Sequence, residues 1–155
     1  MALPRRFRLR PDRWAALILV AFLAMGASYA VVNPVLESPD EICHYPYVVH
    51  LIEERTLPVQ RPGVHTLMEQ EASQPPLYYA LMAALSAWID HSDLPQVRYL
   101  NPHARIGLPL ARDNKNIVVH PQPERFPWQG AVLGVHWVRF WSLLLGAGTV
   151  WCAYR

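Results

Sequence analysis

The stretch that decides the fold is WAALILVAFLAMGASYAVV, residues 14–32 of a chain of 155 residues. It contains no charged residue, and as a helix it is about long enough to cross a hydrocarbon core roughly 30 Å thick. Asn33 and Pro34 follow it, and a proline ring ends a helix because it removes a backbone donor and collides with the preceding turn. The sequence therefore predicts a transmembrane helix over residues 14–34.

A cleaved signal peptide is the alternative interpretation of this stretch. Ser28-Tyr29-Ala30 follows an apolar core, which is typical of a signal-peptidase site. The apolar run, however, is longer than an ordinary signal core and continues through Val31 and Val32. We therefore favour an uncleaved membrane anchor.

Five arginines precede the apolar run, at positions 5, 6, 8, 10 and 13. By the positive-inside rule they hold the tail of residues 1–13 in the cytoplasm. A nucleic-acid-binding arm is the competing interpretation, but basic residues next to an apolar helix are typical of topology signals. We therefore predict contact with membrane lipid, a cytoplasmic N-terminus and no nucleic-acid partner.

The composition favours a membrane protein with a large water-exposed part. Hydrophobic residues make up 52% of the chain and charged residues 17%, which is typical of membrane rather than disordered proteins. The mean hydropathy of +0.07 is too low for a fully embedded chain. Cys43 and Cys152 are too few for a disulfide framework and are expected to stay unpaired. The exposed part is predicted to be an extracytoplasmic loop, residues 35–128.

Two short helices are predicted within this loop, near residues 39–55 and 76–90. The first is indicated by apolar residues at helical spacing, and Pro46 is expected to kink it. The second contains the apolar segment 77–89, which is about a third too short to cross a bilayer, so we expect a re-entrant or surface helix. Residues 91–128 have no sustained period and are predicted to be irregular.

The last segment, residues 129–155, is predicted to form a second transmembrane helix. Arg139 lies within it, and because a charge inside a span is expensive, this side chain is expected to face a site or a partner. If the membrane begins only after Arg139, the remaining run is too short to cross. The predicted fold class is mainly α: an integral membrane protein with one N-terminal transmembrane helix, a long outer loop with juxtamembrane helices, and a second transmembrane helix, complete or truncated.

The motif ESPDEICH, residues 37–44, directly follows the first span and carries the strongest functional signal. Asp40, Glu41 and His44 would lie near the membrane surface, where they can meet the head group of a lipid-linked substrate. The same letters also fit a helix start, with Ser38 as N-cap and Pro39 at the first helical position. The two interpretations are compatible, because a helix N-terminus also binds anionic phosphate.

Three motifs in this order resemble the N-terminal part of a GT-C membrane glycosyltransferase, and most of all the bacterial mannosyltransferase-like proteins. They are PDEICH at residues 39–44, LPV at 57–59 and EASQPPLYY at 71–79. The likeness extends to DNKN at 113–116, His120, FPW at 126–128 and the helix that contains Arg139. It implies a multi-pass enzyme of the bacterial inner membrane that takes a sugar from a polyprenyl-phosphate carrier and transfers it to an acceptor on the outer face.

The resemblance also implies roles for particular residues. Asp40 would be the catalytic base, or the ligand of a divalent cation such as Mg²⁺ or Mn²⁺, with Glu41 beside it. Arg139 would suit a phosphate because its guanidinium makes bidentate contacts. The other predicted substrate-binding residues are His44, Glu71, Gln74, Tyr78 and Tyr79.

Alternatives stay open for both the segment around Glu71 and the whole chain. Tyr78 and Tyr79 also fit an ordinary amphipathic helix with interfacial aromatic residues. Members of the family that this chain resembles have many more transmembrane spans than the two predicted here. We therefore expect the chain to be a fragment, the product of a truncated gene or a degenerate copy. The alternative function is a non-catalytic two-span membrane protein whose outer loop binds a partner.

Overall fold

The computed structural model describes residues 13–110, 112, 114–120 and 124–155. The arginines before residue 13 and Asp113 of the DNKN motif lie outside the described residues. The helices are α1 Arg13–Val32, α2 Glu41–Glu53, α3 Pro76–Ser86, α4 Leu94–Val97 and α5 Gly130–Tyr154, with a 3₁₀ helix Glu69–Ser73 before α3. Within the described ranges there is no strand, only an isolated antiparallel bridge between Leu100 and Val118. The predicted mainly α class is confirmed.

Helices α1 and α5 are both long and apolar enough to be candidate membrane spans. They pack side by side through small residues: Leu143 contacts Gly26, and a Cβ at Gly146 would lie 2.9 Å from the ring of Phe22. Glycines at such positions let two helix backbones approach closely. Most apolar side chains of α1 remain exposed, as Leu17 and Val20 illustrate at 57% and 63%. This exposure differs from the core helix of a soluble domain, whose apolar face is covered.

Helix α5 begins well before Arg139 and continues without interruption to Tyr154. Its start is fixed by Asp93, whose carboxylate accepts the Ala131 N–H at 2.7 Å. Gly130 has a φ of 55°, and a Cβ there would collide with the Asp93 carboxylate. The first turns of α5 therefore pack on the part of the chain between the two candidate spans, residues 33–129, while its later turns lie along α1.

Helix α2 forms the centre of the part between the two candidate spans because two of its faces are apolar. One face packs with the α1–α2 linker, α4 and the start of α5; it includes Ile42, Tyr45 and Val49. The other packs against α3 and the residues around the 3₁₀ helix, and it includes Tyr47 and Val48. Helix α2 therefore sets the relative positions of the segments that bear the predicted site residues.

Helix α2 continues through Pro46 from Glu41 to Glu53. A proline cannot donate to the carbonyl four residues earlier, so the Ile42 carbonyl lacks its usual helical partner. Arg98 Nε donates a hydrogen bond to that carbonyl at 3.2 Å. The acceptor that Pro46 leaves open is thus satisfied by a side chain from the irregular region.

The predicted N-cap of this helix is wrong. Asp40 is the N-cap residue, with a φ of 56°, and its side chain makes no capping hydrogen bond. Ser38 Oγ instead accepts a hydrogen bond from Asn33 Nδ2 at 2.7 Å. Residues 38–40 form a turn, so Pro39 is not the first helical residue. Helix α3 likewise ends at Ser86, a few residues before the predicted end near 90.

Candidate functional site

A cleft of about 500 Å³ opens where the end of α1, the start of α2, α3 and the middle of α5 converge. One part of its wall is formed by the candidate spans, mainly by small and apolar side chains. The other part is polar and includes five of the residues predicted from the sequence. They are Glu41, His44, Tyr78, Tyr79 and Arg139. Asp40, Glu71 and Gln74 do not line this cleft, and Gln74 is exposed.

Glu41 and Arg139 form a bidentate ion pair in the wall of the cleft. Arg139 Nε lies 2.7 Å from Glu41 Oε1, and Arg139 Nη2 lies 2.6 Å from Oε2. Glu41 Oε2 also accepts the Leu36 N–H at 2.8 Å. Two parallel charge-assisted hydrogen bonds of this length are strong and fix the orientation of both side chains. The sequence predicted that Arg139 faces a site or a partner. Its partner is Glu41, which lies 98 positions away in the chain.

Arg139 also binds the carbonyl groups at the end of α1. Its Nη1 donates to the carbonyls of Ala30 and Asn33, and its Nη2 donates to that of Pro34. A helix end leaves several carbonyls without intrahelical partners, and the guanidinium satisfies them here. All five N–H bonds of Arg139 are used within the chain. The predicted phosphate contact of Arg139 would therefore require this network to open.

The carboxylate of Asp40 is exposed and makes no hydrogen bond or ion pair with the described residues. Its backbone lies in the left-handed region, which Asp tolerates better than most residues. The Asp40 carbonyl accepts the N–H groups of Cys43 and His44, each at 2.8 Å. The backbone position of Asp40 is thus fixed while its carboxylate stays available.

His44, Glu71 and Tyr79 form a polar cluster beside Asp40. His44 Nδ1 lies 2.7 Å from the Tyr79 hydroxyl and 3.5 Å from Glu71 Oε2. Burial and the negative charge of Glu71 raise the pKa of Tyr79 to about 12. The phenol is therefore protonated at neutral pH and can donate to the imidazole. One ligand atom from each of Asp40, His44 and Glu71 lies within 4.8 Å of the others.

Cys43 lies on the first turn of α2 but is not part of this cluster. Burial is the main cause that raises the pKa of its thiol above the ordinary value, and the nearby acidic side chains add to the effect. A thiol in such surroundings is a poor nucleophile. Arg98 acts in the opposite direction, but the net rise in the pKa disfavours covalent chemistry at Cys43.

His120 lies in a second, separate cluster with Glu37 and Glu124. Its Nε2 is 2.9 Å from Glu37 Oε1, and its Nδ1 is 2.6 Å from Glu124 Oε1. Glu37 also accepts the N–H groups of Ile117 and Val118. Because both ring nitrogens are occupied, this cluster fastens the irregular region to the start of the ESPDEICH motif.

Sequence reasoning missed Ser142, which lines the cleft from α5. Its hydroxyl lies 2.7 Å from that of Tyr78, which links α3 to the candidate span. A serine inside an apolar helix usually bonds to the carbonyl four residues earlier, and Ser142 also does so with Val138. The local pattern therefore gave no sign of the second contact.

None of the known family models, curated proteins or solved structures matches this chain. The GT-C resemblance thus remains a prediction from the motifs. Any functional assignment depends on the chemistry of the cleft and the neighbouring Asp40 cluster.

Proposed function

We propose that this chain forms the outer-face, donor-binding part of a membrane glycosyltransferase that moves a sugar from a polyprenyl-phosphate carrier to an acceptor. The observation that carries the proposal is the free Asp40 carboxylate next to a cleft that is apolar on one side and polar on the other. In this proposal α1 and α5 cross the bacterial inner membrane, the N-terminus is cytoplasmic, and residues 35–128 lie outside. Helix α3 stays on the outer side because it has only 11 residues.

The two sides of the cleft match the two ends of a lipid-linked sugar. A prenyl chain would lie against the small and apolar residues that the spans contribute, among them Ala30, Val135 and Val138. The phosphate and sugar would meet hydrogen-bonding groups such as His44 and Tyr78 at the level where α1 ends. A largely apolar pocket with a few polar groups is typical of sites that bind and orient such ligands.

In sugar transfer, Asp40 is the group best placed to accept a proton. The acceptor hydroxyl oxygen forms a bond with the anomeric carbon, the bond from that carbon to the phosphate oxygen breaks, and the hydroxyl proton passes to the Asp40 carboxylate. A positioned carboxylate acts in this way as a general base. His44 and Tyr79 would orient the polar end of the donor, because neither is held by an ion pair like that of Arg139.

The resemblance also implies a divalent cation, and the residues beside Asp40 fit one. Oxygen ligands from Asp40 and Glu71 and a nitrogen from His44 are near one another, and Glu71 Oε2 has no hydrogen-bond partner among the described residues. When bound, a cation there would supply positive charge for the leaving phosphate.

The test is lipid-phosphate binding by the full chain in phosphatidylcholine nanodiscs, followed by native mass spectrometry in the presence of a chelator. We expect the chain to retain polyprenyl phosphate but neither polyprenol nor inorganic phosphate alone. Ser142→Phe, which fills the cleft from α5, should abolish retention. Thr149→Phe is the matched control, because Thr149 makes the same type of backbone hydrogen bond on the same helix but does not line the cleft.

Equal retention of polyprenol and polyprenyl phosphate would contradict a donor site. Failure to retain any prenyl lipid would favour the alternative, a non-catalytic two-span protein whose outer region binds a partner.

A further inference from the structure

The ligand atoms next to the cleft come from two separate segments. Asp40 and His44 lie one turn apart at the start of α2, and Glu71 lies on the 3₁₀ helix that packs against α2. The two acidic residues are 31 positions apart in the sequence, so packing rather than local sequence brings them together. Their potential ligand atoms and one from His44 all lie within 4.8 Å of one another.

Glu71 provides an independent observation that points to a ligand. The residue is only 6% exposed, yet its Oε2 atom is buried without a hydrogen-bond partner among the described residues. Its Oε1 atom accepts a hydrogen bond from Gln70 Nε2 at 3.2 Å. A buried carboxylate oxygen that lacks a partner is costly, and the usual solutions are a paired cation or a metal ion. The open atom lies on the side of His44, 3.5 Å from Nδ1.

The separation of these two atoms suits a shared cation. Nitrogen and oxygen ligands at about 2.0–2.2 Å from a tetrahedral Zn²⁺ are roughly 3.4 Å apart. His44 Nδ1 and Glu71 Oε2 are already 3.5 Å apart. The third ligand must move closer, and Asp40 is the residue that can do so, because its side chain is exposed and makes no hydrogen bond with the described residues. The Tyr79 hydroxyl would turn away from Nδ1 when that nitrogen binds the cation.

We propose that Asp40, His44 and Glu71 bind one divalent transition-metal cation, for which Zn²⁺ is the best match. This inference deepens the proposed function: the site borders the same cleft, and its importance for sugar transfer rests on that function, whereas cation binding itself does not. Each residue binds through one atom, so the second carboxylate oxygen of Asp40 stays free to accept a proton, and three protein ligands leave a fourth coordination position open. Such open coordination is typical of catalytic rather than structural zinc.

The donor set also selects among cations. Mg²⁺ and Ca²⁺ prefer oxygen ligands only, whereas imidazole favours later transition metals. Mn²⁺ binds a given site of this type more weakly than Zn²⁺. The donor set with His44 therefore favours Zn²⁺ over the Mg²⁺ or Mn²⁺ that the sequence led us to expect.

The cluster of His120, Glu37 and Glu124 shows why residue type alone is not sufficient. It contains the same donor types, but both imidazole nitrogens are hydrogen-bonded to carboxylates, and Glu37 accepts two backbone N–H groups as well. No buried oxygen in that cluster lacks a partner within the described part of the chain. We therefore expect a cation to bind at Asp40 and not at His120.

The test is calorimetric titration of the chelator-treated full chain in phosphatidylcholine nanodiscs, after purification through a histidine-free tag. We expect one Zn²⁺ per chain and no measurable binding of Mg²⁺. Asp40→Asn should weaken Zn²⁺ binding by roughly tenfold or more, because an amide oxygen is a poorer ligand than a carboxylate. His44→Gln and Glu71→Gln should weaken it at least as much.

His65→Gln and Glu69→Gln are the matched controls. These two residues form an exposed imidazole–carboxylate pair at 3.3 Å on the same part of the chain, so their loss should leave Zn²⁺ binding unchanged. Equal weakening in the controls, or no Zn²⁺ binding by the unaltered chain, would overturn the proposal. Glu71 is buried, so its variant can misfold. Asp40 is exposed, so Asp40→Asn, with its fold checked by circular dichroism, is the variant that decides whether the cluster binds Zn²⁺.

The titration contains no prenyl lipid, and the lipid-binding experiment contains a chelator. Zinc binding without lipid-phosphate retention would therefore uphold this site and reject the proposed donor site. Lipid-phosphate retention without zinc binding would uphold the donor site and reject the zinc site.

Discussion

Adjacent residues of one motif, Asp40 and Glu41, belong to two polar clusters that differ in how completely their atoms are paired. Glu41 is held by both arms of Arg139 and by a backbone N–H group. Asp40 makes no side-chain hydrogen bond with the described residues, and the neighbouring Glu71 has a buried oxygen, Oε2, that also lacks a hydrogen-bond partner among them. The cluster of Glu41 and Arg139, here called the closed cluster, holds the candidate spans to the part of the chain between them. The cluster of Asp40, His44, Glu71 and Tyr79, here called the open cluster, keeps side-chain atoms that are free to bind a ligand, as a functional site requires.

The most direct test of this difference is to neutralise Asp40 and Glu41 in turn. Sugar transfer is then measured in membranes that contain the complete transferase. Asp40→Asn keeps the size of the side chain but removes its capacity to accept a proton. If Asp40 is the base, turnover should fall roughly 10²–10⁴-fold. The measurement is sugar transfer from a polyprenyl-phosphate donor, normalised to the amount of protein in the membrane.

Glu41→Gln is the comparison variant in that assay. It should reduce the amount of folded protein rather than the turnover of what remains, because Glu41 pairs with Arg139. Normal turnover in Asp40→Asn at normal abundance would remove the functional distinction between the two clusters.

The next largest effect is expected from a substitution of Arg139, the partner of Glu41 in the closed cluster. Arg139→Met leaves Glu41 as an uncompensated carboxylate and removes one donor from each of three carbonyl groups at the end of α1, of which that of Ala30 keeps its contact with His136 Nδ1. Loss of one partner of such a pair typically costs about 3–5 kcal/mol of the free energy of unfolding. Denaturant unfolding in detergent micelles, followed by circular dichroism, measures this loss.

The double variant Glu41→Gln with Arg139→Met supplies the control. Because it leaves no unpaired charge, it should be more stable than Arg139→Met alone. If the double variant is instead the less stable of the two, the ion pair is not what makes the cluster rigid.

A smaller effect is expected at Arg98, which satisfies a single neutral acceptor rather than a charged one. Arg98→Met leaves the Ile42 carbonyl in the first turns of α2 without the donor that compensates for Pro46. An unsatisfied buried acceptor costs about 1–3 kcal/mol. Hydrogen exchange measured by mass spectrometry should become faster in α2.

The control for Arg98 is the Pro46→Ala background. There residue 46 supplies its own N–H group, so the same Arg98 change should have less effect. An equal effect in both backgrounds would mean that Arg98 stabilises the protein by another contact.

The smallest predicted effect is the alkaline titration of Tyr79 in the open cluster. Its pKa is raised to about 12 in the folded chain, mainly by burial and then by the charge of Glu71. An unfolded chain loses this proton near pH 10, so the stability that depends on protonated Tyr79 is complete below about pH 10 and is lost as the pH rises to about 12. Near-ultraviolet absorbance, compared between the unaltered chain and Tyr79→Phe, measures the titration.

Glu71→Gln should bring the Tyr79 transition closer to the ordinary value, because it removes the second-largest cause of the raised pKa. A transition that does not move in Glu71→Gln would show that the carboxylate has no influence on the phenol.

The helices were predicted from the sequence better than the hydrogen bonds and ion pairs between their polar side chains. Periodicity and length indicated both apolar helices and α2, because each has a sustained apolar pattern over more than ten residues. The position of Arg139 inside an apolar helix correctly indicated that it needs a partner. The identity of that partner was not predictable, because Glu41 is 98 positions away and reads locally as a helix-capping residue.

The site was predictable only in part, for a related reason. The motifs identified five residues that line the cleft, but Asp40, Glu71 and Gln74, which the same motifs supplied, do not line it. Glu71 belongs to the polar stretch Glu69–Ser73, which looks exposed, and it is buried only because this 3₁₀ helix packs on α2. The left-handed backbone at Asp40 was missed because Ser38, the expected cap, is bound to Asn33 instead.

The contacts of Arg139 with the end of α1 also impose an order on biosynthesis. The carbonyl of Asn33 leaves the ribosome 106 residues before the guanidinium that will bind it. At about 5–20 residues per second, this delay lasts roughly 5–20 s. During that interval the first helix has an unfinished end, and Glu41 has no counter-ion from α5. Nascent chains arrested before residue 139 should therefore be open to protease between residues 33 and 41, and chains arrested once α5 has emerged should be protected there.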